Sequence, residues 1–499
     1  MKIKNLIYFV PFLITPFSLK AQYASDGLKF SQPALNGNAR YLSIGGAQGS
    51  LGGDLGSLSG NPAGVGMFRK SDISFSLQYN NNSAEGSYLN SPSQKESANN
   101  FKLSNFSAAF PIYINRSKVN EISNEWVGVV FGVGYNRTND FYANFNFNGR
   151  NANNSITQSY AQEASAIGTT NDLLPSRLGY AYDNYLIDEE ANDPVTGKVL
   201  YTPISTGNVD QWINNKYDGS QSETNVSLAT NYGNKLYLGG SLTFTNQKYN
   251  MEGFFRESGI QSIFQNPNTS VVSMDEKQNL SVKGTGFSGK LGAIYRPVDE
   301  LRLGGTIYFP TSWNMQEDYV YDLNSTAKDG TVRRPSQLDP SYFEYTLTTP
   351  FKFNIGASYF IGKSAFISAD VDFIDYSSMK LSSNDIDLDN NFKTEVRQNY
   401  RSAINVHLGG EVKFDQLSVR AGFAQYGNPF SENSVNDGKR NYYTSGIGYR
   451  INNFYVDAAY VNSSFNTTYR PYLLDDFSEP VINIKQRTNS VVLTVGTRF

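Results

Sequence analysis

The sequence predicts an all-β fold, a fourteen-stranded antiparallel β-barrel that crosses a membrane. Three observations predict it. Apolar and polar residues alternate along many short segments, short turns alternate with long polar connections, and the chain ends on an aromatic residue, Phe499, at the end of such a segment. Period-two alternation suits a strand with lipid on one face and a wet lumen on the other.

The first residues predict export. Lys2 and Lys4 precede a 14-residue apolar run that contains two prolines, and Ala21 offers a cleavage point. Such a run is too short to cross a bilayer of roughly 30 Å. We therefore interpret residues 1–21 as a signal peptide and expect the mature protein in the outer membrane of a Gram-negative bacterium.

Composition excludes several classes of protein. The 499 residues include no cysteine and one histidine, His407, and the net charge is -3. Disulfides, thiolate metal sites and a basic nucleic-acid surface are therefore excluded. Aromatic residues are 14% of the chain, which suits the girdles at the rims of a barrel. With no composition break after residue 70, we expect one barrel domain over residues 71–499.

The alternating segments number fourteen. They run from Asp72 to Tyr79, Phe101 to Ile114, Trp126 to Gly149, Glu223 to Asn231, Leu236 to Tyr249, Leu280 to Tyr295, Leu301 to Asn314, Tyr345 to Phe360, Ala365 to Tyr376, Ser402 to Phe414, Leu417 to Tyr426, Tyr442 to Ile451, Phe454 to Val461 and Ile484 to Phe499.

The connections predict the orientation. Five connections are turns of a few residues, such as Asp415-Gln416 and Asn452-Asn453, whereas most others are long and rich in Asn, Asp, Ser and Gly. Outer-membrane barrels carry short turns on the periplasmic rim and long loops on the outer rim. An even number of strands returns both chain ends to the periplasm.

The alternation also predicts which side chains face lipid. In the tenth segment Leu408 and Val412 fall on one face, and His407 and Glu411 fall on the other. A charged side chain at the lipid midplane costs about 2–4 kcal/mol for Lys or Arg. We therefore expect the charged face to line a wet lumen.

Residues 22–70 precede the first strand and include a glycine-rich stretch from Ser43 to Gly66. A barrel of about fourteen strands has an interior wider than side chains can fill, so an open pore or an internal plug is expected. Glycine-rich backbone can approach the lumen wall closely. Taken alone, Asn61-Pro62 favours a simple turn before a strand over a hatch element.

Two motifs carry a family resemblance. The stretches Arg40 to Ala47 (RYLSIGGA) and Asn61 to Phe68 (NPAGVGMF) resemble the FadL-type long-chain fatty-acid transporters, a family that includes the toluene porins. The resemblance implies that residues 22–70 form an N-terminal hatch in the barrel lumen. It further implies a hatch turn and a kink in the third strand that opens a lateral passage to lipid. The hatch turn would be Asn61, Pro62, Ala63 and Gly64.

The third segment shows its own irregularity. An outward row from Val127 to Tyr135 is followed by Arg137 and Asn139 in the same phase, before Phe141, Ala143, Phe145 and Phe147 resume it. Two interpretations fit. Either a bulge re-aims the polar residues, or they lie at the headgroup interface. The candidate positions for a kink are Gly132, Gly134, Asn136 and Arg137.

The resemblance implies passive uptake of hydrophobic small molecules such as long-chain fatty acids or aromatic hydrocarbons, with lateral release. Aromatic residues in the longest loop are candidates for ligand capture, although loop packing explains them equally well. These residues are Tyr160, Tyr180, Tyr182, Tyr185 and Trp212. We expect a monomer in outer-membrane lipid that needs no cofactor.

Other classes of function have less support. A haem-uptake barrel would have to ligate iron with His407 or a tyrosine. A barrel subunit or scaffold of a secretion complex is a further alternative. No nucleophile-base pair indicates an enzyme, and no metal site is expected. Asp385, Asp387 and Asp389 lack the glycine and glutamate of an EF-hand loop, so they indicate a solvated acidic loop.

Overall fold

The strands form one closed ring. A computed structural model describes residues 20–113, 125–170, 173, 176–263, 270–334, 340–432 and 437–499, with side chains from residue 23. The first strand pairs antiparallel with the second, where Asp72 lies opposite Ala109, and with the last, where Asp72 lies opposite Arg498. The predicted fourteen-stranded barrel is therefore confirmed. The predicted signal peptide lies almost wholly outside the described residues.

Each of the fourteen predicted segments corresponds to one barrel strand, three of them in two parts. They are β1 (Asp72–Gly86), β2 (Gln94–Tyr113), β3 (Trp126–Asp140 and Ala143–Asn151), β4 (Val209–Tyr232), β5 (Leu236–Ser258), β6 (Val271–Tyr295), β7 (Leu301–Tyr308 and Ser312–Ala327), β8 (Ser341–Thr348 and Lys352–Ile361), β9 (Ala365–Asp375), β10 (Ser402–Phe414), β11 (Leu417–Tyr426), β12 (Arg440–Ile451), β13 (Phe454–Tyr469) and β14 (Ile482–Arg498).

Shorter elements lie before and between the barrel strands. The helices are α1 (Lys20–Ser31), α2 (Ala39–Ser43), α3 (Ile156–Ile167), α4 (Arg177–Asp183) and α5 (Ile386–Asn399), with 3-10 turns at Leu55–Leu58, Pro62–Met67 and Tyr376–Ser378. Short strands lie at Ile187–Asn192, Val199–Pro203, Val332–Arg333 and Lys380–Ser382.

The predicted facing of β10 is confirmed. Leu408 and Val412 are exposed on the outer surface, whereas His407 is buried inside the barrel. The same holds for charged residues on neighbouring strands, because Asp370 and Arg420 are both buried. The outer surface is therefore apolar and the lumen polar, as a membrane barrel requires.

The short turns depend on residues that tolerate a left-handed backbone. Asn234, Asp415 and Asn452 have φ values of 55°, 49° and 52°. Asn and Asp adopt this conformation more readily than other non-glycine residues. The sequence therefore predicts these tight connections well.

Several strands are longer than predicted. β4 begins at Val209 instead of Glu223, and β6 begins at Val271 instead of Leu280. A membrane strand needs only about 9–11 residues, so these strands project beyond the bilayer on the long-loop side. The inward face of the added part of β4 mixes buried apolar residues such as Val209 and Ile213 with buried polar ones such as Gln211 and Asn215, so no regular hydrophobic alternation announces it.

Two helices pack together in the outer half of the lumen. Leu28 and Phe30 of α1 belong to the same apolar cluster as Phe392 and Val396 of α5. The loop that contains Asp385 is thus partly helical, and the Asp385 carboxylate accepts hydrogen bonds from the first backbone N–H groups of α5. Asp385 caps the N-terminus of α5, and Asp387 and Asp389 lie in its first turn, where negative charge is favourable.

Deletion of Phe499 is expected to lower the amount of folded barrel in the membrane. Phe499 and Ser71 exchange two backbone hydrogen bonds of 3.0 Å that close the ring at the short-turn rim. The deletion removes both bonds and an exposed rim aromatic. Heat-modified migration of membrane fractions measures the folded amount, with Phe477→Ala, on an exposed outer loop, as the control. Equal amounts of both variants would contradict this role of Phe499.

Candidate functional site

Residues 32–68, here called the lumen segment, lie inside the barrel and contact strands around the whole ring. Ala39 donates a backbone hydrogen bond of 2.8 Å to Thr494 of β14, and Gly45 donates one of 3.1 Å to Thr444 of β12. Across the ring, Lys290 Nζ of β6 donates a hydrogen bond of 2.9 Å to the Ser59 carbonyl, and Tyr113 of β2 donates one of 3.0 Å to the Phe68 carbonyl. Within the described part of the chain, the lumen segment thus occupies the barrel interior at the height of these contacts.

The Asn61 side chain ties the predicted hatch turn to the wall. Its Oδ1 accepts a hydrogen bond of 3.0 Å from the Ala63 backbone N–H and caps the 3-10 turn Pro62–Met67. Its Nδ2 donates to the Gly49 carbonyl at 2.7 Å and to the Ala293 carbonyl of β6 at 3.2 Å. The turn is therefore an anchored contact with the barrel wall, and its role as a hatch stays a prediction.

Inward glycines let the lumen segment approach the strands, and we call them the glycine belt. An added Cβ at Gly239 would lie 2.5 Å from the Pro62 carbonyl carbon, and one at Gly292 would overlap the Asn61 side chain. These two glycines are direct cross-strand partners. The belt consists of Gly132, Gly239, Gly292, Gly304, Gly356, Gly409, Gly422 and Gly446.

Sequence reasoning missed this belt, although a signal was present. Within the barrel strands, the tripeptide Leu-Gly-Gly occurs at residues 238–240, 303–305 and 408–410, in β5, β7 and β10, and it occurs once more at residues 51–53 in the lumen segment. Glycine weakens a strand interior and often marks a close approach of another backbone. A repeated glycine at equivalent strand positions is therefore a readable sign of an internal plug.

Charged groups add a second set of ties on one side of the lumen. Arg40 of α2 donates from Nε to Glu411 Oε2 at 3.1 Å, and Arg420 donates to the same oxygen at 2.6 Å. Arg420 also contacts Asp457 at 2.7 Å. His407 Nδ1 lies 2.8 Å from the Gly45 carbonyl oxygen, so this single histidine contacts the lumen segment.

The third strand is broken after Asp140. Its register with β4 shifts between Arg137 and Asn139, and the strand resumes at Ala143. Thr138 is the extra residue, and its carbonyl accepts a hydrogen bond of 2.9 Å from the Ala34 backbone N–H. The lumen segment thus satisfies the group that the strand partner leaves free.

The predicted kink positions lie just before this break. Gly132, Gly134 and Asn136 keep a regular register with both neighbouring strands, and Arg137 is the last residue before the shift. Gly132 and Gly134 instead face Leu58 of the lumen segment, where a Cβ would be crowded. These glycines therefore allow close packing against the lumen segment. The register shift comes after them, between Arg137 and Asn139.

The break reverses the facing of the aromatic residues that follow it. Phe141, Phe145 and Phe147 are buried inside the barrel, whereas the uninterrupted phase predicted an outward row. The physical reason is the extra residue, because a shift of one position moves every later side chain to the opposite face. Asn139 also turns inward and donates a hydrogen bond of 3.2 Å to the Gln32 carbonyl.

A cavity of about 630 Å³ lies in the lumen beside this break. Phe141, Phe145 and Tyr249 form part of its apolar wall, and Lys102 and Asp140 form part of its polar wall. The upper part of β3, Ala143–Asn151, pairs with β4, and within the described residues it has no backbone ladder to β2. The cavity therefore borders the stretch of wall where strand pairing is incomplete.

The aromatic residues predicted to capture ligand do not line this cavity. Tyr160 and Tyr180 are buried in the core between the barrel and residues 152–208, here called the outer insert. Tyr185 is partly exposed, and the Arg333 guanidinium lies 4.9 Å from its ring centroid. Tyr182 packs against the same core, and the Trp212 and Phe254 rings meet edge to face at the outer surface. Packing within and around the outer insert therefore accounts for the positions of these five residues.

Two buried carboxylates hold the outer insert on the barrel. Glu257 of β5 accepts hydrogen bonds from the Ser155 hydroxyl at 2.6 Å and the Ile156 backbone N–H at 2.8 Å, at the start of α3. Glu276 of β6 accepts one from the Tyr160 hydroxyl. Burial raises the pKa of Tyr160 well above its usual range, so this hydroxyl stays a donor.

Within the described part of the chain, no group of three or more His, Asp or Glu residues could hold a metal ion. Among the same residues, no helix has the length and apolar character of a membrane span.

A closed barrel with an apolar outer surface, an occupied lumen and a cavity beside a broken strand defines a plugged outer-membrane channel protein. The family described as outer membrane protein transport protein (OMPP1/FadL/TodX) matches residues 210–471. That match covers more than half of the sequence, and the chain belongs to this family. The family consists of transport proteins of the Gram-negative outer membrane and not of enzymes.

Solved structures share the fold. A Pseudomonas aeruginosa FadL homologue superposes with a TM-score of 0.54 at 14% identity, over 94% of this chain and 99% of that chain. The P. putida toluene transporter TodX gives 0.54 at 13% identity, over 93% and 99%. The Ralstonia pickettii toluene transporter TbuX gives 0.51 at 15%, over 93% and 99%. No curated protein matches the sequence.

Gly239→Ala is expected to displace the lumen segment, because its Cβ would press on the Pro62 backbone. Gly240→Ala is the matched control, since its Cβ would have Leu291 Cδ2 at 3.4 Å as its nearest neighbour. Ion conductance of single barrels in planar bilayers measures the opened lumen. Equal conductance of the two variants would show that the segment does not depend on this close approach.

Glu257→Ala is expected to loosen the outer insert. It leaves the Ser155 and Ile156 donors without their acceptor, and a buried unsatisfied donor costs roughly 1–3 kcal/mol. Limited proteolysis measures cleavage within residues 152–208. Glu252→Ala, on the exposed face of the same strand, is the control. An unchanged cleavage rate would assign the anchoring to other contacts.

Proposed function

We propose that this protein takes up hydrophobic small molecules passively through the outer membrane and releases them sideways into lipid. The observation that carries the proposal is the break in β3 beside the internal cavity. At this place the wall lacks part of its ladder, and the cavity inside it has aromatic side chains. Both features suit an apolar ligand that moves between lumen and lipid.

A sideways route follows from what fills the lumen. Residues 32–68 contact strands around the ring at the level of the glycine belt, so a straight path to the periplasm is obstructed. An apolar molecule also gains free energy by leaving water for hydrocarbon. A lateral exit spares it the aqueous periplasm and delivers it directly to the membrane.

The ligand class is proposed from relatives and from the cavity together. Solved structures of similar fold are named toluene transporters and a monoaromatic hydrocarbon channel, and another is a FadL homologue. Long-chain fatty acids and aromatic hydrocarbons are the corresponding ligands. A cavity of about 630 Å³ can hold a molecule of this size.

The same proposal includes the division of the chain. Residues 1–21 would direct export, residues 22–70 would form the hatch with its turn at Asn61-Pro62-Ala63-Gly64, and residues 71–499 would form the barrel. We propose a monomer in outer-membrane lipid. His407 is held between Gly45 and Asp372 and does not line the cavity, so no observation favours haem binding.

Uptake of radiolabelled oleate and toluene tests the proposal in a Gram-negative host that lacks its own fatty-acid transporter. We expect the protein to raise uptake of at least one of them above that of host cells without it. Equal uptake with and without the protein, at normal barrel levels, would overturn the function.

Replacement of Asn61-Pro62-Ala63 by Leu-Phe-Leu is expected to lower this uptake several-fold and leave barrel assembly unchanged. The bulky turn cannot seat against Gly239 and Gly292, so the lumen segment loses the position that the proposed hatch needs. The same triplet at the exposed positions Glu190-Ala191-Asn192 is the control. Uptake equal to that of the control variant would remove the hatch turn from the mechanism.

A further inference from the structure

The contacts that join β2 to β3 change in kind along the seam between them. Backbone pairing runs from Tyr113 opposite Gly128 up to Asn105 opposite Asn136, and there it ends. At the outer end of the seam, Gln94 Nε2 donates a hydrogen bond of 3.1 Å to the Asn148 carbonyl. Between these two points the described wall is joined by side chains.

In the middle of the seam, one carboxylate oxygen accepts hydrogen bonds from three side chains. Asp140, the last residue before the break in β3, accepts at Oδ2 from Lys102 Nζ at 2.7 Å and from Asn100 Nδ2 at 2.6 Å. It also accepts from Asn80 Nδ2 at 2.8 Å. We call these four residues the clasp, because they tie β1 and β2 to β3 where the ladder is missing.

The clasp is shielded from water. The side chains of Lys102 and Asp140 are 2% and 9% exposed. Removal of one partner of such a pair leaves an uncompensated buried charge, which is strongly unfavourable. Yet the contact can open by side-chain rotation alone, whereas a β-ladder must break several backbone hydrogen bonds. The buried ion pair therefore stabilises the closed seam, and rotation of a few side chains is enough to open it.

The clasp also offers unused acceptors. Asp140 Oδ1 and Asn100 Oδ1 are buried and have no hydrogen-bond partner in the part of the chain that the structure describes. Buried acceptors of this kind are costly in a purely structural contact. They are available to a water molecule or a ligand donor when the clasp rearranges.

The position of the clasp fits an exit. Asn80, Lys102 and Asp140 line the cavity of about 630 Å³. Their sequence neighbours Tyr79 and Phe101 point outward and are 46% and 69% exposed, and exposed aromatic side chains of this kind are typical of a barrel's membrane-facing surface. A clasp that opens here joins the cavity to the lipid.

We propose that the clasp is the gate of the lateral passage, closed while Asp140 holds Lys102 and open when it releases this side chain. This proposal rests on the proposed function, since it names the group that controls its exit. It predicts that the opening is governed at Asp140 and Lys102, independently of the hatch turn.

Distance measurement tests the gate without any ligand. Spin labels on Asn99→Cys and Arg150→Cys, both exposed and outside the clasp, report the width of the seam in lipid nanodiscs. We expect a single short distance with the native clasp and an added longer distance in Asp140→Asn and Lys102→Met. The exchange Lys102→Asp/Asp140→Lys is expected to restore the short distance. Identical distances in all forms would overturn the gate.

Cross-linking tests the gate in transport. The chain has no cysteine, so Lys102→Cys/Asp140→Cys can be bridged specifically by a short reversible thiol cross-linker. Using fluorescent dodecanoate as the probe, we expect the bridged form to take up about tenfold less than the reduced form, because the open state is no longer populated. Reduction of the bridge is expected to restore uptake.

The controls separate this proposal from the proposed function. Arg256→Cys/Asp275→Cys joins direct neighbours on β5 and β6, where the ladder is complete, and bridging it is expected to leave uptake unchanged. Normal uptake by the bridged clasp would overturn the gate and leave the transport function standing. If the unaltered protein takes up no probe, transport fails and the distance measurement still decides the gate. Asn100→Ala provides a milder variant for that measurement.

Discussion

The close approach of the lumen segment to the barrel wall is the contact on which the rest of the architecture depends. Fourteen strands enclose more space than inward side chains can fill, and the backbone around Asn61 occupies part of it. The approach is possible because paired positions such as Gly239 and Gly292 carry no side chain. Glycine weakens the strands that contain it, so the contacts made by the segment must offset that cost.

The occupied lumen gives the break in β3 its significance. One extra residue, Thr138, shifts the register of β3 with β4 just after the ladder to β2 ends, and the Ala34 backbone N–H of the lumen segment donates a hydrogen bond to the Thr138 carbonyl. The same residue reverses the pleat, so that Phe141 and Phe145 turn from the lipid to the cavity. A single local irregularity thus supplies both an incomplete wall and an apolar surface behind it. At this place hydrogen bonds from side chains to Asp140 join β3 to β1 and β2, where β2 and β3 have no backbone pairing.

The contacts that stabilise the outer half of the protein differ from those in the membrane half. There the strands continue past the bilayer and carry the outer insert, which is held by Glu257 and Glu276 through hydrogen bonds from α3. These carboxylates are stabilised by the hydrogen bonds that they accept. The outer insert is therefore bound in a fixed orientation to the long strands, and its tyrosines serve this packing.

The sequence by itself determined the number of barrel strands, their short turns and their lipid-facing residues. These features follow from local rules, because lipid on one side and water on the other impose a period of two. The resemblance around Asn61 also indicated a segment that the structure places in the lumen. Only the tertiary structure decided where β3 breaks, which way Phe141 to Phe147 face and that Asp140 meets Lys102 and Asn80. A one-residue shift leaves almost no trace in composition, and a clasp joins residues up to 60 positions apart. Likewise, the strand extension from Val209 to Ser222 has no lipid on its outward face and buries a mixture of apolar and polar side chains on its inward face, so no regular pattern of hydrophobicity records it.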